Sequence, residues 1–338
     1  LWQKFAIGLG IGFLVFMALL FYGDIKEISR LLRNFQWSLI PFILGFTLIN
    51  YLLRGTRFHY YLRQIGITNI SYWTSLRVFI GGFALTITPG KIGELIRVLW
   101  LKNIANADPA QSAPTGIVDR IADALAMSTL ALVGALVYPQ YRFVVISMMA
   151  IMAAGVFIVQ FRPLAMWFLQ LGERLPIISG FADRLRTLYE STYELLRMKN
   201  LTIGVGAGII AWTAEGLAFY LVLIGLGVAG SFELVLTAIF ILALGSILGG
   251  ASSMPGGLGA AEATITALLQ GLVGLPETVA VTATLLIRFF TLWFGVSLGI
   301  LTVIIWRRLL FGSGSNEIDL NTGAAPTKPQ PETDWTRL

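Results

Sequence analysis

The chain has 338 residues, of which 56% are hydrophobic and 12% charged, with a net charge of +6 and a mean hydropathy of +0.78. A water-soluble domain carries about a quarter charged residues, so this balance excludes an ordinary soluble fold and points to a helical integral membrane protein. The absence of cysteine and the single histidine, His59, exclude disulfides, thiolate sites and a histidine-rich metal centre. The basic surplus is read as setting topology rather than binding nucleic acid.

Taken in chain order, continuous apolar runs lie at 5–22, 38–53, 117–137, 143–161, 203–227 and 278–306. Most approach the roughly 20 residues that a helix needs to cross about 30 Å of hydrocarbon. The first lacks a small-x-small cleavage site and reads as a retained span. Two further regions, 72–101 and 232–270, are apolar but interrupted, at "TPGKIGE" (88–94) and "SSMPGGLGAAE" (252–262). After Gly90 only about ten residues remain before the polar "KNIANAD", enough for about half a bilayer. Both regions are therefore expected to be hairpins that enter the membrane and turn back. Residues 176–198 carry helix-spaced apolar positions with a charged opposite face and are expected along the inner interface. The polar Pro/Gly/Thr-containing stretch 312–338 is expected to be a disordered cytoplasmic tail.

The basic residues test this layout. With both termini inside and both hairpins returning to their own side, 18 Lys and Arg fall on inner segments and 4 on outer ones, while Arg120 and Arg288 lie within spans. The localisation that follows is a multi-pass protein of the cell's inner (plasma) membrane. The two halves also echo one another. Gly55, Phe58 and Gly66 match Gly216, Phe219 and Gly227 at a spacing of 161; Pro89 and Gly90 match Pro255 and Gly256; Arg120 falls opposite Arg288. The fold class is thus an all-α polytopic membrane protein: one transmembrane domain over 1–311, with inverted repeats near 5–137 and 143–306, six full spans and two broken re-entrant hairpins. Paired broken helices of this kind meet around a substrate in transporters.

Ionisable residues inside spans or hairpins are Lys91, Glu94, Arg97, Asp119, Arg120, Asp123, Glu215, Glu262 and Arg288. Each is expensive in hydrocarbon and needs a partner or a purpose. Arg288 lies deep in its span and lines a pathway or pairs with Glu215 or Glu262. Glu94 and Glu262 fall in the first turn of a restarting helix, where each compensates the dipole or serves the cavity. "DRIAD" puts Asp119 and Asp123 on one helix face, with Arg120 in reach of Asp123. Gly256 and Gly257 permit the turn at membrane depth. Arg54 and Arg57 read first as solvated positive-inside residues, and His59 as interfacial packing.

"TPGKIGELIRVLWL", "DRIAD", "SSMPGGLGAAE" and the late Arg288 together resemble the transmembrane region of the lysylphosphatidylglycerol synthase/flippase family over roughly residues 5–308. The resemblance implies a flippase-like domain that moves anionic or aminoacylated lipids, or other lipid-linked headgroups, between leaflets. It implies functional roles for Lys91, Glu94, Asp119, Arg120, Glu262 and Arg288. No soluble aminoacyl-transferase domain follows Arg308, so synthesis of lysylphosphatidylglycerol is not expected. The partners implied are a phospholipid or lipid-linked phosphate, the membrane itself and a separate lipid-modifying enzyme; no cofactor is implied. The competing class is an intramembrane prenyl- or glycosyl-transferase holding Mg²⁺ and a diphosphate through Asp119 and Asp123. No second Asp-rich pair accompanies them, and no phosphate-binding loop supports direct ATP drive. A non-transporting partner of another enzyme is the third reading.

Overall fold

The structure is a computed structural model, which describes residues 24–88, 92–163, 165–167, 182–252 and 254–311, with positions 10, 14, 15 and 17 ahead of them. The expected span 5–22, the break residues Pro89 to Lys91, the side chain of Glu94 and the tail 312–338 lie outside what it describes. Every regular element among the described residues is helical. The longer ones are α1 (Ile25–Asn34), α2 (Ile40–Gln64), α3 (Tyr72–Gly81), α4 (Ile92–Ala105), α5 (Pro114–Gly134), α6 (Arg142–Gln160), α7 (Ala182–Leu196), α8 (Met198–Gly225), α9 (Phe232–Ala251), α10 (Ala260–Val273), α11 (Glu277–Arg288) and α12 (Phe294–Ile305). Single 3₁₀ turns follow α3 and precede α10, and a π-turn over Phe289–Trp293 joins α11 to α12.

Five stretches among the described residues are long and apolar enough to cross a bilayer: Trp37–Gln64, Pro139–Gln160, Met198–Gly225, Phe232–Ala251 and Glu277–Ile305. The chain is a polytopic membrane protein. The helix α5 matches the expected span 117–137 in length, but Asp119, Arg120 and Asp123 interrupt its apolar face. Two expectations change. The span read as 38–53 continues without a break to Gln64, so Arg54 and Arg57 belong to a helix and not to a loop. The first arm of the second hairpin, α9, has 20 residues, about 30 Å, a full membrane thickness. No charged residue interrupts 234–248, so the helix runs on to the break at 252–262.

The helix directions can be read from which residues meet. Asn50, Arg57 and Tyr60 of α2 meet Ala211, Gly204 and Asn200 of α8, so these two central helices run antiparallel. In the second hairpin Gly245 faces Ile265 and Gly249 faces Ala261, again antiparallel. In the first, Gly81 and Gly82 face Trp100 and Arg97. The hairpins then exchange partners. The first packs on α12 of the second half, where Arg77, Gly81 and Ala84 meet Trp306, Val303 and Gly299. The second packs on α5 of the first half, where Gly134 meets Phe240 and the Tyr138 and Thr237 hydroxyls lie 2.8 Å apart.

The matched glycines do the same work in both halves. Gly66 and Gly227 end α2 and α8 with φ of +85° and +88°. The next amide donates five residues back in each case, Ile67 to Leu62 at 2.9 Å and Val228 to Leu223 at 3.1 Å. This left-handed cap closes the last helical turn, and only glycine adopts it without strain. Gly55 and Gly216 give the close approach of the following hairpin arm, against Leu76 and Ile239 respectively. Phe58 and Phe219 are both buried. An inverted pair of repeats requires this combination of antiparallel α2/α8 and reciprocal hairpin packing. Peripheral to the core, α6 turns nearly all of its apolar surface outward, as a lipid-facing helix does, and α7 lies against α5, α6 and α8.

Candidate functional site

Both hairpins break where they meet. On the first, the helix ends in a 3₁₀ turn at Gly82–Leu85, and Thr88 Oγ1 donates to the Leu85 carbonyl at 2.6 Å. On the second, Gly256, Gly257 and Gly259 all take positive φ, at +61°, +68° and +88°. Between the breaks lies a cavity of about 190 Å³. Its wall includes Thr86 and Thr88 from one break and Gly256 and Gly257 from the other, with Gly82, Gly249, Gly250 and Gly295 also lining it. Four arginines line it, Arg54, Arg97, Arg120 and Arg288, against two carboxylates, Asp119 and Glu215. The cavity is therefore cationic, and it lies in a low-dielectric surround where that charge attracts strongly.

Arg288 is held from two sides. Its Nε donates to Glu262 Oε1 at 2.5 Å and its Nη2 to the carbonyl of Gly256 at 2.7 Å. Glu262 Oε2 accepts from the backbone N–H of Gly259 at 2.6 Å, so the same carboxylate caps α10 and anchors the arginine. Of the two partners expected for Arg288, Glu262 is the one used. Glu262 therefore caps its helix, as the dipole reading expects, and pairs with Arg288. The π-turn begins at the residue after Arg288, and within it the Thr291 carbonyl accepts from Tyr51 Oη. Such turns widen a helix locally and recur at functional sites.

A second charge cluster joins α2 to α5. Arg57, 2% exposed, donates through Nε to Asp119 Oδ1 at 2.9 Å, through Nη2 to Asp123 Oδ1 at 2.7 Å and through Nη1 to the Gly204 carbonyl of α8 at 3.1 Å. Arg54 Nη2 lies 2.8 Å from Asp123 Oδ2 and 3.8 Å from Asp119 Oδ2. Its guanidinium also lies over the Trp212 ring, 5.5 Å from the centroid. The expectation that Arg54 and Arg57 are solvated is thus overturned. Asp119 and Asp123 do share one face of α5, as their spacing requires, but that face turns to Arg54 and Arg57. Two guanidiniums already satisfy these carboxylates, which disfavours their use as Mg²⁺ ligands. Among the described residues no group of three or more acidic or histidine side chains is disposed to hold a metal ion.

Arg97 is buried, donates through Nη2 to the Phe79 carbonyl at 2.9 Å and stacks on the Phe79 ring at 4.4 Å. Glu215 is 7% exposed and, among the described residues, makes no hydrogen bond or ion pair. His59 faces the Ser75 hydroxyl at 2.9 Å, away from the cavity, as its packing role implies. Of the sequence-derived candidates, Arg97, Asp119, Arg120, Glu215, Gly256, Gly257 and Arg288 come together around the cavity, with Asp123 and Glu262 directly behind it. Lys91 and the Glu94 side chain lie outside the described residues. Sequence reasoning missed Arg54, Tyr51 and Trp212. The repeat held the signal: at the spacing of 161 Tyr51 matches Trp212 and Arg54 matches Glu215, and all four side chains line the cavity.

The family model described as the lysylphosphatidylglycerol synthase TM region matches residues 5–299. A UPF0104 membrane protein of Methanothermobacter thermautotrophicus is 25% identical over 311 residues, covering 85% of this chain and 89% of its own length. Another, from Pyrococcus horikoshii, is 24% identical over 332 residues, covering 90% of this chain and 97% of its own.

Proposed function

The chain belongs to the lysylphosphatidylglycerol synthase transmembrane-region family, and on that premise we propose that it is a flippase-like transporter that carries an anionic lipid headgroup between leaflets of the plasma membrane, with both termini cytoplasmic. The observation that carries the reading is the cationic cavity at the junction of two broken hairpins, lined by four arginines against two carboxylates. Non-helical backbone at membrane depth persists only where protein or a wet cavity covers it. A lipid phosphate entering that cavity exchanges its water for guanidinium forks, which bind phosphate oxygens in bidentate geometry. Arg288 offers the exchange directly. In the resting arrangement Glu262 neutralises it; an arriving phosphate competes with that carboxylate for the guanidinium, so the arginine keeps an anion at each stage. The acyl chains remain in the bilayer while only the headgroup crosses through the cavity.

The test is reconstitution into liposomes containing a fluorescent phosphatidylglycerol, followed by dithionite quenching from outside. The expected result is quenching beyond the outer-leaflet fraction, with the recovered lipid chemically unchanged. Quenching no greater than in protein-free liposomes overturns the reading, and a chemically altered lipid favours the transferase class instead.

A further inference from the structure

Four carboxylates are described in and behind the cavity, and three are committed. Asp119 and Asp123 are bound by Arg57 and Arg54, and Glu262 by Arg288. Glu215 is the exception. It projects from the middle of α8 into the cavity wall, is 7% exposed, and among the described residues accepts no hydrogen bond. The cations that act on it most strongly, Arg54 and Arg288, point their donors at Asp123 and Glu262 instead. A carboxyl group keeps acceptor lone pairs for an incoming donor. Glu215 lines the cavity, where a ligand's donor can reach it.

We propose that Glu215 is a specificity-determining residue, accepting a hydrogen bond from a donor on the headgroup beyond the phosphate. The cargo class is then a phosphodiester whose headgroup carries a hydroxyl or an ammonium, not a bare phosphoester. This deepens the proposed function and rests on it for its transport readout. The geometry is complementary on both counts. Guanidiniums that supply only donors receive the phosphate oxygens, and Glu215, the uncommitted carboxyl among the described residues, receives the headgroup donor. A site built to satisfy a ligand's donor discriminates against analogues lacking it, because the protein acceptor is then left buried and unpaired.

Three phosphodiester lipids with the same acyl chains separate the possibilities: phosphatidylglycerol, phosphatidylethanolamine and phosphatidylmethanol. The first offers hydroxyls, the second an ammonium, the third no donor. Wild-type protein in liposomes is expected to move one or both of the first two at least about tenfold faster than phosphatidylmethanol. Which of the two is preferred identifies the donor. Glu215→Leu is expected to erase the ranking, and Glu215→Gln, which keeps a weaker acceptor, to retain part of it and to carry the test if the leucine variant fails to fold. Equal movement of all three lipids by wild type overturns the inference while leaving transport intact. A ranking that survives Glu215→Leu assigns the discrimination elsewhere and overturns the role of Glu215. If wild type moves none of them, the proposed function fails. Thermal stabilisation in detergent by the dioctanoyl forms of the three lipids then decides the inference: the same ranking, lost in Glu215→Leu, supports it, and equal shifts overturn it.

Discussion

A guanidinium stays protonated at any physiological pH, so a deeply placed arginine always needs an anion. For Arg288 that anion is Glu262, and the contact uses Nε, leaving the fork with an Nη directed at the Gly256 carbonyl. Arg288→Lys keeps the charge but loses the planar fork; lipid movement is expected to fall at least tenfold while the thermal midpoint in detergent changes little. Arg288→Ala strands Glu262 in low dielectric and is expected to lose both activity and stability, by about 3–5 kcal/mol for the unpaired buried charge. Wild-type transport by Arg288→Ala removes Arg288 from the pathway. Arg57 behaves differently, because its side chain is fully buried and holds α2 to both α5 and α8. Arg57→Lys cannot reach two aspartates and the Gly204 carbonyl together, so it is expected to lower the midpoint nearly as far as Arg57→Ala; a midpoint equal to wild type in either variant refutes the clamp. The sequence made Arg288 visible because it lies about ten residues into an uncharged span. It hid Arg54 and Arg57, since the positive-inside pattern explains arginines at a helix end equally well and their aspartate partners lie more than 60 residues away.

At the scale of elements, the second break is a backbone problem before it is a chemical one. Gly257 sits at φ +68°, and a Cβ there would lie 3.1 Å from the backbone of Gly249 on the facing arm. Both the conformation and the space exclude a side chain. Gly257→Val is expected to prevent the hairpin from closing, and even Gly257→Ala to cost measurable stability and activity; full lipid movement by the valine variant refutes the broken-hairpin account. Gly299 gives the same kind of test from a different cause. A Cβ there would overlap the backbone of Ala84 in the 3₁₀ turn that ends the first hairpin. Gly299→Leu is expected to separate α12 from that hairpin, read as a lower thermal midpoint and lost transport. The breaks themselves were legible because Pro-Gly runs at membrane depth have few other uses. The length of α9 and the π-turn after Arg288 were not. One depends on how far a helix continues toward a turn, and the other on tertiary contacts such as Tyr51 with the Thr291 carbonyl.

For the molecule as a whole, the proposed transport needs the two hairpins to approach the cavity from opposite faces. The antiparallel course of α2 and α8, the matching caps at Gly66 and Gly227, and the exchange of hairpins between halves all fit that arrangement. The order of the echoes made the repeat readable in sequence, although single matches of Gly and Phe carried little by themselves. The pairing of Arg54 with Glu215 escaped it because the two residues are chemically opposite. Position, not residue type, relates them. The absence of cysteine allows the orientation to be measured directly. Single cysteines at Asn103, in the last turn of α4, and at Glu277, at the start of α11 just after the second hairpin, sit on exposed positions. If each hairpin returns to its own side, an impermeant maleimide applied to intact cells reaches Glu277→Cys and not Asn103→Cys, and inverted vesicles give the converse. The charge count demands this, because a single crossing at either hairpin reverses every later segment and spoils the inside bias of basic residues, which persists when Arg54 and Arg57 are left out of it. Labelling of both positions from one face would make the halves parallel rather than inverted. The cavity would then open to one leaflet only, and lipid movement would need a route other than the junction of the two breaks.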